Sequence, residues 1–190
     1  PIPAFPLYES ITVAAGASPV FLDLKKSNFQ IDKAALESCI TEKTRAIVLN
    51  SPNNPTGCVL TEESLTIVAE LAQEHDFYIL CDNVYAALSS EPVPDLTLRA
   101  ELRDRCILCQ SFSKPWAMTG WRLGWLAAPA PLIDQFTLLQ AAQIASVPTF
   151  LQKAAETALQ VEVTDMAAVY RKRREYVLAR LDQMGLPYPT

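Results

Sequence analysis

Apolar positions along the chain fall into two alternating rhythms, and those rhythms predict the elements. Short runs bounded by polar or proline-rich segments read as strands: Pro19-Val20-Phe21-Leu22-Asp23-Leu24, Ala46-Ile47-Val48-Leu49-Asn50, Phe77-Tyr78-Ile79-Leu80-Cys81, Cys106-Ile107-Leu108-Cys109-Gln110 and Leu123-Gly124-Trp125-Leu126-Ala127-Ala128. The last three are apolar on both faces, as strands covered by helices on either side would be. Between them stand segments with helical spacing. Asp32 caps one that reaches Cys39, and Thr61 caps another with Glu62 and Glu63 in its first turn, where the helix dipole favours carboxylates. Leu65, Val68, Ala69, Leu71 and Ala72 form the apolar stripe of that second helix. From Pro131 onward the pattern is helical, with the longest piece from about Thr164 to Met184 and Gly185 as its C-cap. The stripe Phe150, Leu151, Ala154, Ala155, Ala158, Leu159 is expected in the core. Strand-helix alternation predicts an α/β fold whose mainly parallel sheet is flanked by helices.

Composition narrows the function. The 190 residues carry 16 basic and 21 acidic side chains, a net charge of -5, so no basic field exists to neutralise nucleic-acid phosphates. The single histidine, His75, excludes multi-histidine metal centres; it falls near a helix end, where a cation suits the dipole. Five cysteines, an odd number scattered through apolar runs, do not form a disulfide framework and point to a reducing cytoplasm. Cys106 and Cys109 lie three apart in a strand-like run and so point to opposite faces, which argues against a paired metal or redox role. Arg171-Lys172-Arg173-Arg174 spreads over more than one helix face and is expected in solvent. No apolar run is long enough for a bilayer, and the start lacks the basic-then-apolar order of a signal peptide. Pro1-Ile2-Pro3 and Pro187-Tyr188-Pro189-Thr190 look like cuts through continuous structure, so an internal piece of a longer protein is expected, with apolar surface left uncovered.

In parallel α/β sheets, ligands sit beyond the carboxyl ends of the strands. Those positions hold Asn54-Pro55-Thr56-Gly57, Asp82-Asn83-Val84-Tyr85 and Ser111-Phe112-Ser113-Lys114, while Arg122 stands at the mouth of the last strand. Each has an ordinary explanation alone: a turn, an N-cap beside a packed tyrosine, a solvated lysine, a guanidinium stacked on an indole. Together they match one small molecule. A lysine among Phe112, Pro115, Trp116 and Met118 is placed for desolvation, which favours a nucleophilic amine. An aspartate at a buried strand end calls for a cation. Two serines and an arginine form an anion cradle, and asparagine and tyrosine add neutral donors. An aldehyde, a ring cation and a phosphate satisfy the set, and pyridoxal phosphate carries all three.

The motifs Asn54-Pro55-Thr56-Gly57, Asp82-x-x-Tyr85 and Ser111-x-Ser113-Lys114, followed by Gly120-Trp121-Arg122-x-Gly124-Trp125, resemble the class I/II aminotransferases of the aspartate aminotransferase fold type, in order and spacing, from Pro3 to about Gly185. The resemblance implies that Lys114 forms the Schiff base with pyridoxal 5′-phosphate and moves the substrate proton. It implies Asp82 on the pyridine nitrogen, Tyr85 and Asn54 on the phenolic oxygen, Ser111, Ser113 and Arg122 on the phosphate, and Phe5 stacked on the ring. It also implies a cis bond at Asn54-Pro55. Asn83 stands where an acidic residue is common, and Ala86-Ala87 follow Tyr85, neither at a position expected to touch the cofactor.

The implied activity is transfer of an amino group between an L-amino acid and a 2-oxo acid, by a homodimer in the full-length protein, with no nucleic-acid or membrane partner. A C-S β-lyase or related lyase, and the cofactor-binding sensor domain of a transcription regulator, share these motifs. Residues 1–163 would be part of the large cofactor-binding domain, 164–185 a connecting helix and 186–190 the start of a small domain. Family members also carry an upstream phosphate loop, first sheet strands and a tyrosine lent to the neighbouring subunit, and a downstream arginine for the substrate carboxylate. This chain has no match to those segments, and alone it is expected to be inactive as a transaminase and poorly stable.

Overall fold

In the computed structural model, which describes residues 1–89 and 91–189, four strands form one sheet in the order β1-β2-β3-β4. They are β1 (Ala46–Asn50), β2 (Tyr78–Asp82), β3 (Cys106–Ser111) and β4 (Gly124–Ala127). The first three run parallel, with Asn50 beside Asp82 and Asp82 beside Cys109. β4 returns antiparallel, pairing Gly124 with Ser111. This register brings the carboxyl ends of three strands and the start of the fourth to one edge. All the polar strand-end groups singled out above gather there.

The helices are α1 (Leu7–Ala14), α2 (Lys33–Cys39), α3 (Glu62–Glu74), α4 (Ala130–Ile144), α5 (Thr149–Ala158) and α6 (Thr164–Met184). Two caps form as the sequence predicts: Asp32 accepts from the amide of Ala35, and Thr61 from that of Ser64. Gly185 ends α6 at φ 65°, the left-handed conformation that glycine adopts without a Cβ clash. His75 is the C-cap residue of α3. Arg171 to Arg174 are exposed. The main core lies where α2 and α3 cover the sheet, with Val68, Leu71, Ala72, Phe77 and Ile79 essentially free of solvent contact. A smaller core joins Phe112, Leu123 and Ala158, with Trp116, Met118 and Leu151 against it. Among the described residues no helix is long and apolar enough to cross a membrane.

Several expectations are corrected. Residues 19–24 form no strand: a single bridge joins Ile2 to Asp23, and although Leu22 and Leu24 are buried, Val20 and Phe21 face outward. A one-residue partner cannot extend a ladder. β4 is not covered on both faces, since all four of its residues are exposed, Trp125 and Leu126 among them. It is the edge of the sheet, and among the described residues no strand lies beyond it. The stripe on α5 is only partly core: Ala158, Ala155 and Leu151 pack inward, while Phe150 and Leu159 stay exposed. α1 is an addition; Pro6 at its N-cap provides no capping side chain and none of its residues is buried, so it left no strong periodic signal.

Candidate active site

Side chains from four separate segments meet at the carboxyl edge of the sheet. Asn50, the last residue of β1, is buried and ties the floor together. Its amide nitrogen donates to the main-chain carbonyl of Asp82 at 3.0 Å, and its side-chain oxygen accepts from the amide of Asn54 at 2.7 Å. The loop after β1 is closed by Asn53, whose side chain accepts from the amide of Thr56 at 3.2 Å, and by Gly57 at φ 75°. The Asn54–Pro55 bond is cis. The Asn54 side chain meets Tyr85, its Nδ2 donating to the phenol oxygen at 3.4 Å.

Asp82 ends β2 half-buried. Its Oδ2 accepts from the hydroxyl of Tyr8 at 2.5 Å, and its Oδ1 from the amide of Val84 at 3.3 Å. No ion pair to this carboxylate is present among the described residues. Burial and the adjacent carboxylate hold the Tyr8 phenol well above the usual range, so it stays a neutral donor. Cys109, across the register from Asp82, is pushed up to about 11 by burial and by the same carboxylate. Neither Tyr8 nor Asn50 was visible as a site residue in sequence: Tyr8 lies 74 positions from Asp82, and Asn50 reads simply as a strand end.

Lys114 follows β3 and holds its Nζ 5.8 Å from the centre of the Tyr85 ring. Its side chain is exposed. The desolvation expected from its apolar neighbours is therefore absent: Phe112 sits in the smaller core with Trp116 and Met118 against it, while Lys114 stays exposed. Ser111, Ser113 and Arg122 line one cavity of about 210 Å³ together with Gln110, Leu123 and Gly124. The Ser113 amide donates to the Ser111 hydroxyl oxygen at 3.0 Å, and Arg122 donates to the carbonyl of Thr119 at 3.0 Å. Arg122 and Ala117 both take positive φ, 51° and 53°. That conformation costs a non-glycine residue about 1–2 kcal/mol, and Asn28, Phe29, Asp76 and Ala145 adopt it away from this site. Phe5 is exposed, its ring centre 5.9 Å from that of Tyr8 and edge-on at 83°. The fold thus brings Phe5, Asn54, Asp82, Tyr85 and Lys114 into one chain of neighbours, with Ser111, Ser113 and Arg122 in an adjoining cavity.

This donor set suits a ring cation, a phenolic oxygen, an aldehyde and a phosphate. A carboxylate without a cation, a paired phenol and amide, an exposed amine and a hydroxyl-guanidinium cavity supply one partner for each.

Known proteins share this sequence pattern and fold. A family model described as aminotransferase class I and II matches residues 1–190. The chain is 38% identical to an aspartate aminotransferase of Musicola paradisiaca, over 97% of this chain and 48% of that protein. It is 40% identical to an aromatic-amino-acid aminotransferase of Thermococcus litoralis, over 98% and 50%. The chain therefore spans about half the length of the curated relatives it matches. Among solved structures, an aromatic aminotransferase from Pyrococcus horikoshii superposes with a TM-score of 0.93 at 36% identity, covering 100% of this chain and 53% of the other. An aspartate aminotransferase mutant from Thermus thermophilus gives 0.91 at 31% identity, covering 98% and 53%.

Proposed function

The chain belongs to the class I and II aminotransferase family, and from that premise we propose that its protein transfers an amino group between an L-amino acid and a 2-oxo acid, with pyridoxal 5′-phosphate held at the carboxyl edge of the sheet. The observation that carries the reading is the meeting of Asn54, Tyr85 and Lys114 from three separate loops, with Asp82 at the end of β2 three residues before Tyr85, and a cavity lined by two serines and an arginine. The relatives named above are aminotransferases, which favours transfer over elimination or sensing.

Pyridoxal phosphate, when bound, supplies an aldehyde for amino groups and a cationic ring that withdraws electrons from the reacting carbon. The chain's own groups do the rest. Lys114 Nζ would hold the cofactor through its aldehyde, with loss of water, and as a free amine would be the base that takes the proton from the substrate α-carbon and the acid that gives it back. The Asp82 carboxylate holds the proton on the ring nitrogen. Tyr85 Oη and Asn54 Nδ2 donate to the phenolic oxygen. Ser111, Ser113 and Arg122 bind the phosphate, with Arg122 as its countercharge. Phe5 covers a ring face and excludes water. We extend the proposal to residues 1–163 as part of a large domain, α6 with Gly185 as a connecting helix and 186–190 as the start of a small domain, of which Thr190 lies outside the described residues. A cytoplasmic homodimer belongs to the same reading, supported by the exposed apolar side chains on α4, Leu138 and Leu139 among them.

The test is covalent. The full-length protein incubated with pyridoxal phosphate and reduced with borohydride should carry the label on Lys114 by peptide mapping. A label on another lysine, or none, refutes the reading.

A further inference from the structure

We propose that Tyr8 is the positioning residue for Asp82: its hydroxyl, brought from the first turn of α1, fixes which carboxylate oxygen faces the cofactor's ring nitrogen. The inference rests on the function proposed above and adds a residue that no motif marks.

A carboxylate at a strand end can rotate about its last bond. Asp82 has few restraints on that rotation. The Val84 amide reaches Oδ1 at 3.3 Å, a long contact, and Asn50 binds the main-chain carbonyl rather than the carboxylate. The short contact is the one from Tyr8 to Oδ2 at 2.5 Å. A hydrogen bond to an ionised acceptor is about twice as strong as one between neutral groups. It therefore dominates the orientation. The phenol remains protonated, held neutral by burial and by the negative charge it serves, so it donates over the whole working range.

The placement of Tyr8 points the same way. α1 buries none of its residues, and Leu7, Ile11 and Val13 all face solvent. An apolar anchor would have served if attachment of the helix were the only need. Instead the helix offers a half-buried phenol, fixed by its amide to the Phe5 carbonyl at 3.2 Å and by the edge-on Phe5 ring. Thr12 braces the turn, donating to the Tyr8 carbonyl at 2.7 Å. One turn of chain thus delivers both Phe5 to the ring's face and the hydroxyl to the ring's counter-ion.

A double-mutant cycle on the full-length protein tests this, read as the dissociation constant for pyridoxal phosphate by spectroscopic titration. Tyr8→Phe keeps the aromatic packing and removes only the hydroxyl. It should weaken binding about tenfold, the size expected for a lost hydrogen bond to a charged group. In an Asp82→Ala background the same substitution should change nothing further, because a residue that acts through Asp82 has nothing left to act on. Unchanged affinity in Tyr8→Phe overturns the inference, as do effects that add across the cycle, which a merely structural role would give. Borohydride labelling of Lys114 in the parent separates the two levels. Label on Lys114 with an additive cycle sinks only the role of Tyr8; no label there sinks the function and this role together.

Discussion

Gly124 sets how closely β4 approaches β3 at the mouth of the cavity proposed to take the phosphate. A Cβ at this position would lie 2.7 Å from the main-chain carbonyl oxygen of Gln110 and 3.7 Å from Cα of Ser111. The obstructing atom is backbone, held in the β3–β4 ladder opposite Ser111, so no side chain can swing aside. Gly124→Ala must push the strands apart by roughly 0.7 Å before the contact reaches the 3.4 Å at which it becomes ordinary. Overpacking of this kind costs about 1–3 kcal/mol. At about 2 kcal/mol, a chain of this size should melt about 4–8 °C lower. The same shift displaces Ser111 and Arg122, which line the cavity with Gly124. Affinity for pyridoxal phosphate should then fall about tenfold or more, while the phosphate-free aldehyde pyridoxal loses much less. Calorimetry and parallel titrations of the two aldehydes measure both effects. A variant that melts like the parent and binds both aldehydes equally well would refute the reasoning, since the strands would then have room that the geometry denies them.

Arg122→Ala removes the guanidinium from the same cavity without straining the ladder. It should cost about tenfold or more in affinity for pyridoxal phosphate but leave pyridoxal unaffected, and equal losses for both would contradict the phosphate assignment. Phe77 is buried immediately before β2 with 1% of its surface exposed. Phe77→Ala should cost about 3–5 kcal/mol, seen as a lower denaturant midpoint. For Cys109 the sign follows from a thiol raised from 9.0 to about 11 in the folded state. The folded protein keeps that proton more tightly than the unfolded chain, so the stabilisation is fully present below pH 9 and is lost as pH rises towards 11. Alkylation of Cys109 by iodoacetamide, mapped by mass spectrometry, should stay slow near pH 9 and accelerate towards pH 11, faster at each pH in the unfolded chain; a rate that levels off near pH 9 contradicts it.

Local chemistry alone determined much of this protein. The caps at Asp32 and Thr61, the strand Ala46–Asn50 and the glycine stop at Gly185 follow from short-range hydrogen bonds and steric limits, which act within a few residues and are therefore written in order along the chain. The candidate groups could be nominated for the same reason: ligands in such sheets sit at the carboxyl ends of strands, and Asp82 ends β2, Asn54, Tyr85 and Lys114 follow strands, and Arg122 stands just before the antiparallel β4. Tertiary structure decided the rest. Whether 19–24 becomes a strand depends on a partner, and Ile2 offers one residue. Whether β4 is covered depends on its place in the sheet, and an edge leaves Trp125 in solvent. Apolar neighbours of Lys114 suggested burial, yet those neighbours turned inward and left the amine outside. Tyr8 reaches Asp82 across 74 positions, a contact created only when α1 and β2 are packed. Pairing and burial are properties of surfaces that meet after folding, and a linear pattern of residues holds no record of which surfaces those will be.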